Sequence, residues 1–203
     1  MISKARVRFC LIFMLLAVTL VVFSGVSSAS SKTPRGTVED ANPGVYASRG
    51  GKWVPIMLGS DLYEFETIAT NANGYAALRF DDDTLVELGA NTVAHTMLSL
   101  FEPERAMFQV HVDKGEVRLG TGSIGLKNPK GIKLVTPKNI FITRNCIANF
   151  LITPEREIVD VEWMPDGVDV VVINAESKNE YRMTAEGSAM VTDAQNNVSI
   201  ETP

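Results

Sequence analysis

Cysteine and histidine are scarce in this chain, and their scarcity narrows the chemistry open to it. The 203 residues include two cysteines and two histidines. A zinc site needs three or four converging ligands, and His95, His111 and Cys146 stand on separate stretches, so they are weak evidence for one. His95 and His111 fall beside Met97 and Gln109 and read as surface or rim histidines. No Ser-His-Asp order, phosphate-cradling glycine loop or dinucleotide fingerprint is present. No catalytic residue, cofactor or metal is therefore assigned. Positive charge is also in deficit, with 19 Lys and Arg against 24 Asp and Glu. Attraction to nucleic acid or to an anionic membrane surface is not expected of such a chain. Outside the first thirty residues no window of twelve shows a 3.6-residue hydrophobic period, which argues against a helical core.

The N-terminus stands apart in composition. Lys4, Arg6 and Arg8 precede an apolar run from Phe9 to Phe23, and small residues follow to Ser31. That is the layout of a cleaved export signal. Ser27 and Ala29 suit the peptidase, so cleavage is expected after Ala29, giving a periplasmic or secreted protein. The alternative is an inner-membrane anchor through residues 9–26, at the lower limit of length for a span. Cys10 lies at the start of the apolar run, just after Phe9, and does not follow small residues, unlike a lipid-attachment cysteine. Loss of residues 1–29 removes three basic groups and takes the net charge from −5 to −8. Cys146 is then the sole cysteine. It reads as a small buried hydrophobe, with an intermolecular disulfide as the alternative for an odd cysteine in an exported protein.

Short alternating runs fill the rest. Ala76, Leu78 and Phe80 recur every second residue, Asp81-Asp82-Asp83 breaks the run, and Thr84, Val86 and Leu88 resume it. A period of two places one set on one sheet face, and aspartates suit a tight reversal, so a β-hairpin with a solvated acidic turn is expected. Calcium at that turn is disfavoured because no distant bidentate glutamate accompanies it. Gly50-Gly51 marks a hairpin between 45–49 and 52–57. Asp113-Lys114-Gly115 and Pro165-Asp166-Gly167 read as further hairpin turns, and residues 120–131 as irregular. The prediction is an all-β domain over residues 44–203, with many short strands joined by tight turns, β-solenoid-like or a β-sandwich. A polar tether over 30–43 precedes it, with one strand at 36–40.

The order of landmarks carries a family resemblance. Gly51-Lys52-Trp53-Val54-Pro55 is followed by Gly59, Asp61-Leu62, Thr67 and Thr70. Then come Gly74-Tyr75-Ala76-Ala77-Leu78, Asp81 to Thr84, and Leu88 with Asn91-Thr92. Gly115-Glu116-Val117-Arg118, Val135-Thr136-Pro137 and Ala185-Glu186-Gly187 complete the series. The chain resembles the FecR-type domain, named for the periplasmic regulator of ferric citrate uptake. The resemblance covers most of residues 44–192, is closest over 66–165 and is strongest at 66–118. Two departures stand out. Asp83 occupies the glycine position of an Asp-Gly-Thr turn, and Arg144-Asn145-Cys146 stands where the family has Arg-Gly-Thr. The resemblance implies a non-catalytic, all-β envelope domain. In signalling members a cytoplasmic segment holds a sigma factor. Only eight residues precede the apolar run here, so an exported, stand-alone member is expected.

Other candidates are weaker. Asp160 and Glu162 share one strand face, expected to be exposed with no hollow around it. Loops 101–105 and 120–131 could carry recognition. Lys127, Lys130, Lys133 and Lys138 surround the second loop and form a candidate patch for an acidic envelope polymer, or else protect an edge strand. The expected function is binding, in envelope signalling or recognition of an envelope component, with an envelope protein or cell-wall polymer as partner. The alternative is a structural subunit of an envelope or secretion assembly, docking by strand addition.

Overall fold

A computed structural model describes residues 33–99 and 105–202 of the chain. The expected export signal, its anchor alternative and most of loop 101–105 lie outside the described residues. Among the described residues are seventeen strands and one helix, α1 (Ser123–Lys127). No helix there is long and apolar enough to cross a membrane. The protein is all-β, built of many short strands.

The strands form two sheets. The first holds β4 (Asp61–Leu62), β1 (Gly36–Ala41), β6 (Ala76–Phe80), β7 (Leu85–Leu88), the second half of β9 (Met107–Gly120), β12 (Ile147–Ile152), β13 (Glu157–Trp163), β16 (Ala189–Thr192) and β17 (Val198–Glu201), in that order. The second holds β3 (Lys52–Pro55), β2 (Val45–Arg49), β5 (Glu66–Thr70), β8 (Val93–Ser99), the first half of β9, β10 (Ile132–Val135), β11 (Asn139–Thr143), β14 (Val170–Asn174) and β15 (Glu180–Met183). The β9–β10 pair is the single parallel pairing among the described strands. It follows from the crossover that carries the chain through the first sheet and α1 before it returns.

The period of two in the sequence is the period of the core. Leu78, Val86, Leu119, Phe150, Val159 and Met190 point inward from the first sheet, and Ile68, Phe108, Leu134, Phe141, Val172 and Met183 from the second; all are buried. Aromatic pairs join the layers: Phe80 meets Phe108 at 4.8 Å between ring centroids, and Phe141 meets Phe150 at 5.0 Å. Each such side chain stabilises the fold by about 1.5–3 kcal/mol. From β10 onward the hairpins alternate between layers, and each pairs with the last hairpin of its own layer. The architecture is a two-layer sandwich that grows along one axis in the manner of a solenoid.

Two expected turns and one stretch expected to be irregular behave differently. Residues 113–115 do not reverse the chain; β9 runs on through them and changes sheets. A register shift opposite Val93 and Ala94 supplies the bulge, and Gly115 takes φ +110°, with Thr92 packed where a Cβ would sit. Sandwich corners are made by such bends. Pro165-Asp166-Gly167 joins no hairpin either: β13 and β14 lie in different sheets. The irregular stretch at 120–131 contains α1, one turn with no side-chain cap. In addition, the strand expected within the tether is β1, paired to β4 and β6 with Val38 in the core, so the fold begins ahead of residue 44.

Candidate functional site

Several of the residues that carry the family resemblance sit at turns and sheet-crossing corners, and some of these form buried hydrogen-bond networks. At the acidic turn Asp83 holds φ +67°, the left-handed conformation a glycine would supply. Asp82 is buried rather than solvated. Its carboxylate accepts from the Thr84 N–H at 3.1 Å and the Thr84 hydroxyl at 2.7 Å, and Thr84 Oγ1 accepts from the Gly122 N–H at 3.1 Å. Asp81 is exposed. Gly74 lies in the corner from β5 to β6, packed on Thr70 and Asn71. Asn145 turns the corner from β11 to β12 with φ +47°, and Arg144 beside it reaches the Gly167 carbonyl at 3.4 Å. Cys146 donates its N–H to Thr121 Oγ1 at 2.9 Å. Its thiol is buried at 2% exposure, and burial pushes it up to about 11. A thiolate nucleophile is thereby disfavoured.

Thr136 and Pro137 form the β10–β11 turn, and the turn is held by a residue that sequence reasoning passed over. Glu157 is 2% exposed. It accepts from the Thr136 hydroxyl at 2.5 Å, the Asn139 side-chain amide at 2.8 Å and the Lys138 N–H at 2.9 Å. Asn139 donates also to Thr192 Oγ1 at 3.0 Å. A signal was available: Glu157, Val159 and Val161 share one phase of β13, and that phase faces the core. Glu66 repeats the pattern on β5, buried beneath Ile68's phase and bridged to Arg49 at 2.7 Å.

The four lysines are not gathered together. Lys127 ends α1 and Lys130 lies in the following loop, both exposed. Lys133 is half-buried on β10. Lys138 lies beyond the far end of β10, about 13 Å along the strand, and donates to the Asp193 carbonyl at 2.7 Å. Lys130 shares a hollow with Arg144, Arg182, Asp169 and Glu180, where the charges of both signs are mixed. His95 and His111 stand directly opposite each other on β8 and β9. His95 Nδ1 meets Thr67 Oγ1 at 2.8 Å and Nε2 meets Asp113 at 3.1 Å, while His111 lies against the Gln109 amide. No three potential metal ligands converge among the described residues.

The outer face of the first sheet carries a groove of about 480 Å³. It crosses β7, β9, β12 and β13. Register places Glu87, Arg118, Asn149 and Asp160 in one row, and Glu116, Leu151 and Ile158 in the next, with Gly89 at its head. Asp160 thus walls a hollow where an open strand face was expected. Arg118 is engaged on two sides. It donates to Glu87 at 2.6 Å and, as a two-pronged pair, to Glu162 at 2.7 and 2.8 Å. Those bonds to Arg118 hold the Glu162 carboxyl down at about 2. Tyr75 donates to Glu87 at 2.8 Å, and burial with that bond pushes its phenol up to about 12. By contrast, the carboxylates of Glu116 and Asp160 have no hydrogen bond or ion pair among the described residues. An apolar floor with fixed polar walls suits binding.

No family model matches the chain, and no curated protein matches it. Two crystal structures of a candidate anti-sigma factor from Parabacteroides distasonis ATCC 8503, at 1.65 and 2.50 Å resolution, share the fold. Each aligns with a TM-score of 0.53 at 17% identity, over 66% of this chain and 58% of that protein's length.

Proposed function

We propose that this chain is an exported FecR-like protein that acts by binding, in envelope signalling or in recognition of an envelope component. The observation that carries the reading is the shared two-sheet fold with a candidate anti-sigma factor. Two others support it. Several of the family landmarks in the sequence, among them Gly74, Asp81 to Thr84, Thr136-Pro137 and Arg144-Asn145, fall on corners and turns of this fold. The mostly apolar groove on the first sheet gives a binding module its surface. In this reading residues 1–29 direct export, and the domain meets an envelope protein or a cell-wall polymer.

In-cell cross-linking of the tagged protein, followed by mass spectrometry of the envelope fraction, tests it. Condition-dependent, substoichiometric capture, or attachment to cell-wall polymer, is expected. Capture in the cytoplasm would overturn the reading.

One observation favours a structural subunit as a second reading. Trp53, Met57 and Leu58 are 55%, 65% and 68% exposed along β3 and its exit. That apolar margin would suit a permanent neighbour, which would appear as one partner captured in fixed ratio. Strand addition there is limited, because Pro55 lacks an N–H and β4 has two residues, both devices that blunt an edge.

A further inference from the structure

We propose that the groove across β7, β9, β12 and β13 binds an extended polypeptide segment of the pattern basic–x–apolar–x–basic. The inference rests on the reading of this chain as a binding module and names what that module takes.

Shape limits the occupant first. The groove spans four strands, hence about 14 Å across the sheet at the usual strand spacing. Its floor is Leu151 and Ile158, both half-buried, and it is deepened at Gly89, where a Cβ would approach Glu116 Cβ at 2.9 Å. An apolar side chain would sit on that floor, between the Tyr75 end and the Asp160 end.

Charge then selects among occupants. Four carboxylates lie in or beside the groove, Glu87, Glu116, Asp160 and Glu162, against one guanidinium, that of Arg118, which meets Glu87 and Glu162. Arg118 is clamped between Glu87 and Glu162, so it has little charge left to offer an anion. The two carboxylates without partners, Glu116 and Asp160, lie two strands apart and one pair of residues along. Ideal sheet spacing puts them about 12 Å from each other. In an extended segment residues i, i+2 and i+4 share a face, and i to i+4 covers about 13 Å. Basic residues at the ends of such a segment therefore reach both carboxylates while the middle residue meets Leu151 and Ile158. A negatively charged polymer has no complement there.

Amide-resolved NMR titration of the purified protein at low ionic strength tests this. The probes are acetyl-Lys-Ser-Leu-Ser-Lys-amide, the same peptide with glutamine for both lysines, the same peptide with serine for leucine, and spermidine. The first peptide is expected to shift amides on β7, β9, β12 and β13. Its affinity should fall about tenfold in the Asp160→Asn/Glu116→Gln double variant, whose spectrum otherwise remains folded, and fall again with added salt. The Glu180→Gln variant, on the other sheet, should bind normally. No shift at millimolar peptide, equal binding of the glutamine peptide, or shifts confined to the second sheet would overturn the proposal. Spermidine matching the lysine peptide would overturn it in favour of a small polycation. None of these failures touches the signalling reading, which falls instead on the outcome of cross-linking in cells.

Discussion

Removing the Glu157 side chain should destabilise the fold far more than its position on an ordinary strand suggests. In Glu157→Ala, three donors lose their acceptor: the Thr136 hydroxyl, the Lys138 N–H and the Asn139 amide. A buried donor left unsatisfied costs about 1–3 kcal/mol. The sum is reduced by relaxation. The Thr136 hydroxyl can rotate to the Asn139 carbonyl at 3.0 Å, and the Asn139 amide keeps Thr192. Lys138 is half-buried, so water can reach it. A net loss of about 3 kcal/mol is expected, a large fraction of the roughly 5–15 kcal/mol that holds a domain together. Glu157→Gln keeps one acceptor oxygen and should lose about 1–2 kcal/mol. Exposed Glu155→Ala, two residues away, should stay within about 0.5 kcal/mol. Urea unfolding followed by the fluorescence of Trp53 and Trp163 measures all three. A Glu157→Ala variant within about 1 kcal/mol of the parent would refute the assignment of Glu157 as the anchor of the β10–β11 turn.

Other outcomes follow from the same geometry. A Cβ on Gly122 would lie 2.2 Å from the Asp82 carbonyl oxygen and 2.3 Å from the Thr84 nitrogen, backbone atoms of a fixed turn. Gly122→Ala should therefore cost about 2–3 kcal/mol, while Gly120→Ala, with its nearest contact at 3.8 Å, should be nearly neutral; thermal melts compare them. Burial raises the Cys146 thiol from 9.0 to about 11 in the folded state. The fold prefers the neutral thiol, so stability is intact below pH 9 and falls as pH rises toward 11, by up to about 2–3 kcal/mol. Cys146→Ala should abolish that dependence, and the native thiol should react with a disulfide reagent only after unfolding. Glu162 is held at about 2 against an ordinary 4.5, chiefly by the Arg118 bond. Its contribution is present above pH 4.5 and lost as pH falls toward 2. The two side chains are about a third and two-fifths exposed, so solvent screens the pair and under about 1 kcal/mol is involved. An NMR titration of the Glu162 carboxyl should move toward the ordinary value in Arg118→Gln.

What the sequence by itself determined is local. Alternation of apolar residues marked the strands, because a pleated strand presents every second side chain to the core. Gly50-Gly51 made its hairpin, with both residues at positive φ, and the acidic turn closed where Asp81 to Asp83 broke the period. Asp83 and Asn145 took left-handed conformations at their turns, as short polar side chains can. Tertiary structure decided what each turn joins. Pro165-Asp166-Gly167 and residues 113–115 have ordinary turn chemistry, yet both carry the chain from one sheet to the other. A turn's residues set its local dihedrals; the partner of the next strand is set by which buried face has room for it. Only the fold could bury Glu157 under a turn eighteen or more residues earlier in the chain. Only the fold could assemble the groove, whose walls come from Tyr75, Glu87, Glu116 and Asp160. These residues are distant in sequence and become neighbours through backbone hydrogen bonds between strands, an interaction every residue can make and no sequence pattern records.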